Sequence, residues 1–176
     1  MAKIVQWNCR GSRANFEELD ILVAKYKPVA FCLQELHVSD SYTLDNNLYT
    51  LMSKLPHIPT GHRPHGGTGI LIRKDLPHSV IPLNTPLQAV ACRVFTFQPL
   101  TLYTTSYLPP SCSWKHVELL SLVSQLPPPI LLIGDFNAHN SLWGCADTNC
   151  KGLEEVIERP VRGDQHVSTN KMVVSI

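Results

Sequence analysis

The chain has 176 residues, 44% of them hydrophobic, and a mean hydropathy of −0.02, which is typical of one globular domain with an apolar core. Lys and Arg total 15 against 14 for Asp and Glu, so bulk charge provides no attraction to nucleic acid and any such binding needs local patches. No run approaches the ~20 apolar residues of a membrane-spanning helix, and MAKIVQWN lacks the layout of a secretory signal. We therefore expect an intracellular protein, in the nucleus or the cytoplasm, with no membrane partner.

The N-terminal part predicts a strand, a helix and a second strand. KIVQWN is a short β-prone run, and residues 16–26 carry apolar side chains at helical spacing. The helix begins at Asn15, in a pattern that resembles a capping box, or at Ser12, and it ends before Pro28. PVAFCLQE is continuously apolar until its end, which predicts a buried strand that ends at Glu35.

The middle of the chain is rich in turn residues and short β-prone runs. Between residues 36 and 64 the periodicity is poor, so we expect mostly loop, with at most a helix near residues 48–55. GGTGILIRK, HSVIPL, LQAVACRVFTF and LTLYTTSYLPP then look like consecutive antiparallel strands. HGGTG, at residues 65–69, leads into a strand and lacks the Lys and Ser or Thr of a phosphate-binding loop, so we interpret it as a turn.

The C-terminal part begins with a second amphipathic helix after Ser113. PPPILLIGDFN predicts a buried strand whose end carries Asp135 and Asn137, and a third short helix is expected over residues 152–158. RPVRGDQHVSTNKMVVSI shows neither helical nor sustained strand periodicity. With no linker upstream, we expect one domain over residues 1–158 and an irregular tail over residues 159–176.

Three predicted strands end in polar side chains: Asn8, Glu35, and Asp135 with Asn137. One carboxylate after an apolar strand is commonplace and often caps a helix or a turn. In layered α/β architectures, however, strand ends at one edge of a sheet bring distant residues together. Magnesium takes oxygen ligands, often one or two carboxylates together with water and substrate phosphate. The joint pattern therefore predicts phosphate chemistry with Glu35 as a metal ligand.

Four blocks in order, QWNCRG, LQE, SYLPP and GDFNAHNSLWG, resemble the successive signatures of the endonuclease/exonuclease/phosphatase superfamily. They are most similar to the apurinic-type endonuclease domain of non-LTR (LINE-type) retrotransposons. GDFN alone is a short motif with a real risk of chance matches, but the four blocks together are specific. The resemblance covers about residues 3–158.

The resemblance implies an α+β fold, an α/β sandwich of four layers in which two mixed β-sheets are flanked by helices, incomplete at the C-terminus. It implies that Glu35 binds Mg²⁺ or Mn²⁺ and that Asn8 helps to order this metal site. Tyr107 and Asn137 would contact the substrate phosphate, and Asp135 would position or deprotonate the attacking water. No organic cofactor is implied. These roles suit the donor, base and amide chemistry of the side chains.

Other candidate residues have plainer explanations. Tyr107, without the other blocks, would be an ordinary tyrosine at a strand end before a Pro-Pro turn. His139 and Trp143 are expected to be loop features rather than catalytic or base-stacking groups. Cys145 and Cys150 near His139 lack the four spaced ligands of a zinc site. The cysteines inside the apolar runs are expected to be buried, reduced thiols.

The family pattern continues with an aspartate near a late strand and ends in a Ser-Asp-His block, and neither occurs here; Asp164 and His166 form only a superficial D-x-H. Residues 159–176 look like the product of a frameshift, an aberrant splice or a truncated copy. We expect a retrotransposon-derived, Mg²⁺-dependent endonuclease that nicks DNA at impaired rate, normally joined to a reverse transcriptase that is absent here. The alternatives are a non-catalytic remnant that binds metal or DNA weakly, and a phosphatase or phosphodiesterase of the same superfamily.

Overall fold

A computed structural model of the chain describes residues 3–39, 47–56, 62–95, 100–105, 121–134 and 172–175; for residues 100–105 and 172–175 only the backbone is described. The elements are β1 (Ile4–Asn8), α1 (Phe16–Tyr26), β2 (Ala30–Gln34), β3 (Tyr49–Lys54), β4 (Thr68–Arg73), β5 (His78–Ile81), β6 (Ala89–Val94), β7 (Leu100–Thr105), β8 (Ile130–Gly134) and β9 (Met172–Ser175).

The strands form two sheets. Sheet 1 has the order β1-β2-β4-β3, and sheet 2 has the order β5-β6-β7-β8-β9. In sheet 1, β1 and β2 are parallel and the other pairs are antiparallel. In sheet 2, β7 and β8 are parallel and the other pairs are antiparallel. Both sheets are therefore mixed, which confirms the prediction of two mixed sheets.

Strand β2 lies at the centre of the packing because both of its faces are buried. Phe31 and Leu33 face the apolar layer shared with α1, and Ala30 and Cys32 face the layer between the two sheets. This alternation follows from the period of two along a strand. Complete burial of each large apolar side chain stabilises the fold by roughly 1.5–3 kcal/mol, so the continuous apolar run of β2 anchors two layers at once.

A third apolar layer covers the other face of sheet 2. Ala91 and Leu132 from the sheet pack there with Leu122 and Leu126, and residues 121–123 are helical. The order is thus helix, sheet 1, sheet 2 and helical segment, which confirms the four-layered sandwich. Among the described residues, no helix has the length and apolarity needed to cross a bilayer.

Helix α1 begins and ends where the sequence predicts. Asn15 occupies the N-cap position, but no side-chain cap bond forms, since its Nδ2 donates to the carbonyl oxygen of Cys9 at 2.6 Å. Asn15 is therefore at the predicted N-cap position, but the predicted capping hydrogen bond does not form. At the other end Lys27 adopts a left-handed conformation and its N–H donates to the oxygen of Val23 at 2.9 Å, a common helix stop.

Two predictions for the middle of the chain are wrong. Residues 48–55, expected to be loop or helix, contain strand β3, which is antiparallel to β4. The run that begins at residue 66 forms β4, but β4 pairs with β2 in sheet 1 rather than continuing into β5. The consecutive antiparallel order holds for β5, β6 and β7. Local β-propensity identifies a strand but not its partner, because pairing is set by long-range contacts.

The C-terminal stretch differs from the expected irregular tail. Met172–Ser175 forms β9, which is antiparallel to β8 and pairs Gly134 with Met172. The apolar MVV run is short, and β8 offers it an edge to pair with, which a periodicity argument does not detect. The predicted helix over residues 152–158 and most of the one after Ser113 lie outside the described residues.

Cys9, Cys32 and Cys92 are buried and free, as predicted. Burial raises the pKa of these thiols to about 11, about 12 and about 11, respectively. Since only the thiolate is alkylated, we expect iodoacetamide at pH 8 to label each at least roughly 100-fold more slowly in the folded protein than in urea. Mass spectrometry of peptides after timed labelling measures this. Rapid labelling of Cys32 in folded protein would contradict the placement of β2 between two covered faces.

Candidate active site

The parallel pairing of β1 and β2 brings two of the predicted site residues together. Asn8 and Gln34 are register partners at the ends of the strands, and Glu35 follows at once. The Nδ2 of Asn8 donates to Oε1 of Glu35 at 2.9 Å. One step back on the same face of β1, Gln6 Nε2 donates to Oε1 of the buried Gln34 at 2.9 Å. Two side-chain hydrogen bonds, Gln6 to Gln34 and Asn8 to Glu35, thus connect the ends of β1 and β2, and the second one involves the carboxylate.

The backbone contact between these segments continues beyond the strands. The N–H of Cys9 donates to the oxygen of Gln34 at 3.0 Å, and the N–H of Gly11 donates to the oxygen of Glu35 at 2.7 Å. Gly11 has a φ of 103°, a conformation that favours glycine. The Glu35 backbone is therefore fixed on its β1 side.

The other side of the Glu35 loop rests on the turn before β4. The N–H of Leu36 donates to the oxygen of Gly67 at 3.2 Å, and the N–H of His37 donates to the oxygen of Gly66 at 2.9 Å. Both glycines have positive φ, at 65° for Gly66 and 88° for Gly67. HGGTG is therefore a turn before a strand, as predicted, and it also supports the loop that carries Glu35.

Three non-glycine residues near the site have left-handed backbone: Arg10 at φ 45°, Glu35 at φ 53° and His37 at φ 51°. Such conformations are uncommon for non-glycine residues and cluster at functional sites. Here they bring the Nε2 of His37 to 3.8 Å from Oε2 of Glu35, with the two side chains 35% and 24% exposed. His37 was not among the residues predicted from the sequence. It lies two residues after Glu35 in LQELH, but this spacing places the two side chains close together only in the left-handed backbone conformation that the structure shows.

Glu35 is the described residue best suited to hold a metal ion. Its Oε1 accepts from Asn8 and its Oε2 faces His37, so the carboxylate is oriented and partly exposed. The Oδ1 of Asn8 accepts from the N–H of Arg10 at 3.3 Å, so in this arrangement Asn8 orients the carboxylate through its amide nitrogen. One oriented carboxylate fits a hard cation such as Mg²⁺, which is often held by one or two carboxylates with water and phosphate.

The nearby thiol does not suit a metal. Cys9 Sγ donates to the oxygen of Gln34 at 3.1 Å, and burial, with a smaller contribution from the Glu35 charge, raises its pKa to about 11. The thiol is buried and its hydrogen bonds go to backbone carbonyl oxygens rather than to the Glu35 carboxylate. Within the described ranges, no group of three or more His, Cys, Asp or Glu side chains surrounds a possible ion position.

Tyr107, Asp135 and Asn137 lie outside the described residues, as do His139, Trp143, Cys145 and Cys150. The strands that lead to the first two are described. Thr105 at the end of β7 and Gly134 at the end of β8 are register partners in the parallel pair of sheet 2. The chain therefore leaves both strands from the same edge of that sheet, immediately before the SYLPP and DFN segments.

The bond between Asn8 and Glu35 can be tested by a double-mutant cycle. We expect Asn8→Ala and Glu35→Ala to show a coupling free energy of about 0.5–1.5 kcal/mol in urea unfolding, because a hydrogen bond to a half-buried charged group is being removed. Glu17→Ala, on the exposed side of α1, paired with Asn8→Ala is the control, with coupling near zero. Equal coupling in both cycles would contradict the contact.

A sequence model of the endonuclease/exonuclease/phosphatase family matches residues 5–171. This match continues past residue 158, where the sequence pattern suggests a boundary; the division of the chain at that point stays a prediction.

Curated relatives are polymerases of mobile elements. The chain is 25% identical over 154 residues to a probable RNA-directed DNA polymerase from transposon X-element of Drosophila melanogaster, covering 86% of this chain and 17% of the relative. It is 29% identical over 160 residues to the RNA-directed DNA polymerase from mobile element jockey of the same fly, covering 88% and 17%. The chain thus spans 17% of the length of these relatives.

Solved structures share the fold. The endonuclease domain of TRAS1, a telomere-specific non-LTR retrotransposon, superposes with a TM-score of 0.63 at 19% identity, covering 88% of this chain and 69% of that one. An AP endonuclease from Archaeoglobus fulgidus superposes with a TM-score of 0.57 at 15% identity, covering 78% and 58%. At these identities the likeness shows the fold alone.

Proposed function

Because the chain belongs to the endonuclease/exonuclease/phosphatase family, we propose that it is a divalent-metal-dependent endonuclease domain that hydrolyses DNA phosphodiester bonds. The observation that carries this proposal is the oriented, partly exposed carboxylate of Glu35 at the end of the parallel pair β1–β2, held by Asn8. The mobile-element relatives favour DNA as the substrate.

In the proposed mechanism, Glu35 would hold Mg²⁺ or Mn²⁺ and Asn8 would keep its carboxylate aligned. When bound, the ion supplies positive charge that stabilises the phosphate in the transition state. Asp135 takes a proton from water as the water oxygen bonds to phosphorus. The bond from phosphorus to the 3′ oxygen breaks, and that oxygen takes a proton from solvent, which leaves a 3′-hydroxyl and a 5′-phosphate. Tyr107 and Asn137 donate hydrogen bonds to the phosphate oxygens without adding charge.

We further propose that the nick serves DNA synthesis. The names of the relatives describe RNA-directed DNA polymerases of transposons, and a polymerase extends a 3′-hydroxyl. A reverse transcriptase is accordingly the proposed user of the product, and DNA is the proposed binding partner. The sequence carries no dense basic run, so DNA binding should rest on a few local contacts with backbone phosphates.

Nicking of supercoiled plasmid tests the proposal. We expect nicked circles with Mg²⁺ and none with EDTA, and we expect Glu35→Gln to lower the rate at least roughly 100-fold, because it removes the ligand charge but keeps the shape. Glu17→Gln, the same change at an exposed position on α1, should nick like the unchanged chain.

Equal nicking by Glu35→Gln and by the unchanged chain would contradict the assigned role of Glu35. A folded chain that binds Mn²⁺ but leaves the plasmid supercoiled would instead identify the binding-only remnant.

A substrate panel separates the endonuclease from a phosphatase of the same family. We expect plasmid nicking without release of inorganic phosphate from inositol polyphosphates, because the sequence block GDFNAHNSLWG resembles that of retroelement endonucleases. A colorimetric phosphate assay at matched Mg²⁺ concentration measures the second activity. Phosphate release in the absence of nicking would favour the phosphatase.

A further inference from the structure

Gln88 contacts the turn at Gly66 and Gly67. This turn supports residues 35–37, which form the Glu35 loop. Gln88 directly precedes β6, and Gly67 directly precedes β4. The N–H of Gly67 donates to Oε1 of Gln88 at 3.0 Å, in a part-buried position. The strands that follow these two residues, β6 and β4, belong to different sheets, so this hydrogen bond links the sheets beside the candidate metal site.

The turn is shaped for this contact. A Cβ on Gly66 would lie 3.2 Å from Oε1 of Gln88, and a Cβ on Gly67 would lie 2.9 Å from Cδ2 of Leu55. The positive φ of both glycines disfavours side chains independently of space. The glutamine oxygen therefore rests directly on the backbone of the turn, with no side chain between them.

The carbonyl oxygens of the same two glycines accept hydrogen bonds from the Glu35 loop. Gly67 accepts from the N–H of Leu36 and Gly66 accepts from the N–H of His37. Glu35 and His37 both have left-handed backbone, which persists only where surrounding contacts hold it. On the β1 side that contact is the bond from Gly11 to Glu35, and on the opposite side it is this turn.

We propose that Gln88 is a positioning residue for Glu35: it holds the Gly66–Gly67 turn, and through it the loop that aims the carboxylate at the site. The assignment of a metal to that carboxylate rests on the proposed function, whereas the positional role does not. Gln88 acts through the backbone of the turn, by accepting from the N–H of Gly67.

The test compares two substitutions of nearly equal size. Gln88→Glu keeps an oxygen that accepts from Gly67, and Gln88→Met removes the acceptor. Amide hydrogen exchange, read residue by residue by NMR, reports on the loop, and loss of the free Mn²⁺ signal in electron paramagnetic resonance reports on the metal.

We expect Gln88→Met to raise the amide exchange rates of Leu36, His37 and Gly67 about tenfold or more, because the N–H of Gly67 loses its hydrogen-bond acceptor and the turn is less firmly held. Phe31 and Leu33 in β2 should exchange as before. Mn²⁺ affinity should fall by a factor of about 10, the lower end of what is expected when a metal ligand loses an outer-shell partner. Gln88→Glu should retain slow exchange at the loop.

Unchanged loop exchange in Gln88→Met would overturn the proposal, as would equal acceleration in both variants. Acceleration that extends to Phe31 and Leu33 would also overturn it, since that result indicates global destabilisation. The expected pattern of amide exchange alone, found in a chain that neither binds Mn²⁺ nor nicks DNA, would support the positioning role and refute the endonuclease. Nicking with no change in loop exchange would do the reverse.

Discussion

The burial of both faces of β2 is the constraint on which the rest of the structure depends. Every residue of Ala30–Gln34 is buried, with α1 over one face and sheet 2 over the other. A shift of β2 by one residue would exchange side chains that pack in two different layers and would displace Gln34 from its amide partner. The position of Glu35, one residue beyond, follows from that register.

The candidate site lies directly after the fixed end of β2, where the backbone is no longer that of a regular strand. Beyond Gln34 the backbone turns left-handed at Glu35 and His37, and hydrogen bonds hold it on both sides, from Gly11 and from the Gly66–Gly67 turn. The carboxylate is oriented before any ligand arrives, which lowers the cost of ordering it on binding. The buried strand β2 thus supports a partly exposed carboxylate in a locally strained loop.

The sequence predicts the elements with local signals better than those that depend on partners. The apolar run of β2 and the periodic α1 are found at their observed positions, and strand ends point to Asn8 and Glu35. Strand β3 was missed because it is half exposed and defined by pairing with β4. His37 and Gln88 were missed because their contacts depend on left-handed backbone and on the approach of two sheets. Tyr107, Asp135 and Asn137 stay predictions.

The central claim is that the ends of β1 and β2 form a divalent-metal site around Glu35. Paramagnetic broadening by Mn²⁺, added in small amounts to ¹⁵N-labelled protein, tests it most directly. We expect the NMR signals of residues 8–11 and 35–37, including the Asn8 side-chain amide, to broaden first, and we expect Glu35→Gln to suppress this broadening. Broadening centred elsewhere, or the same broadening in Glu35→Gln, would contradict the claim.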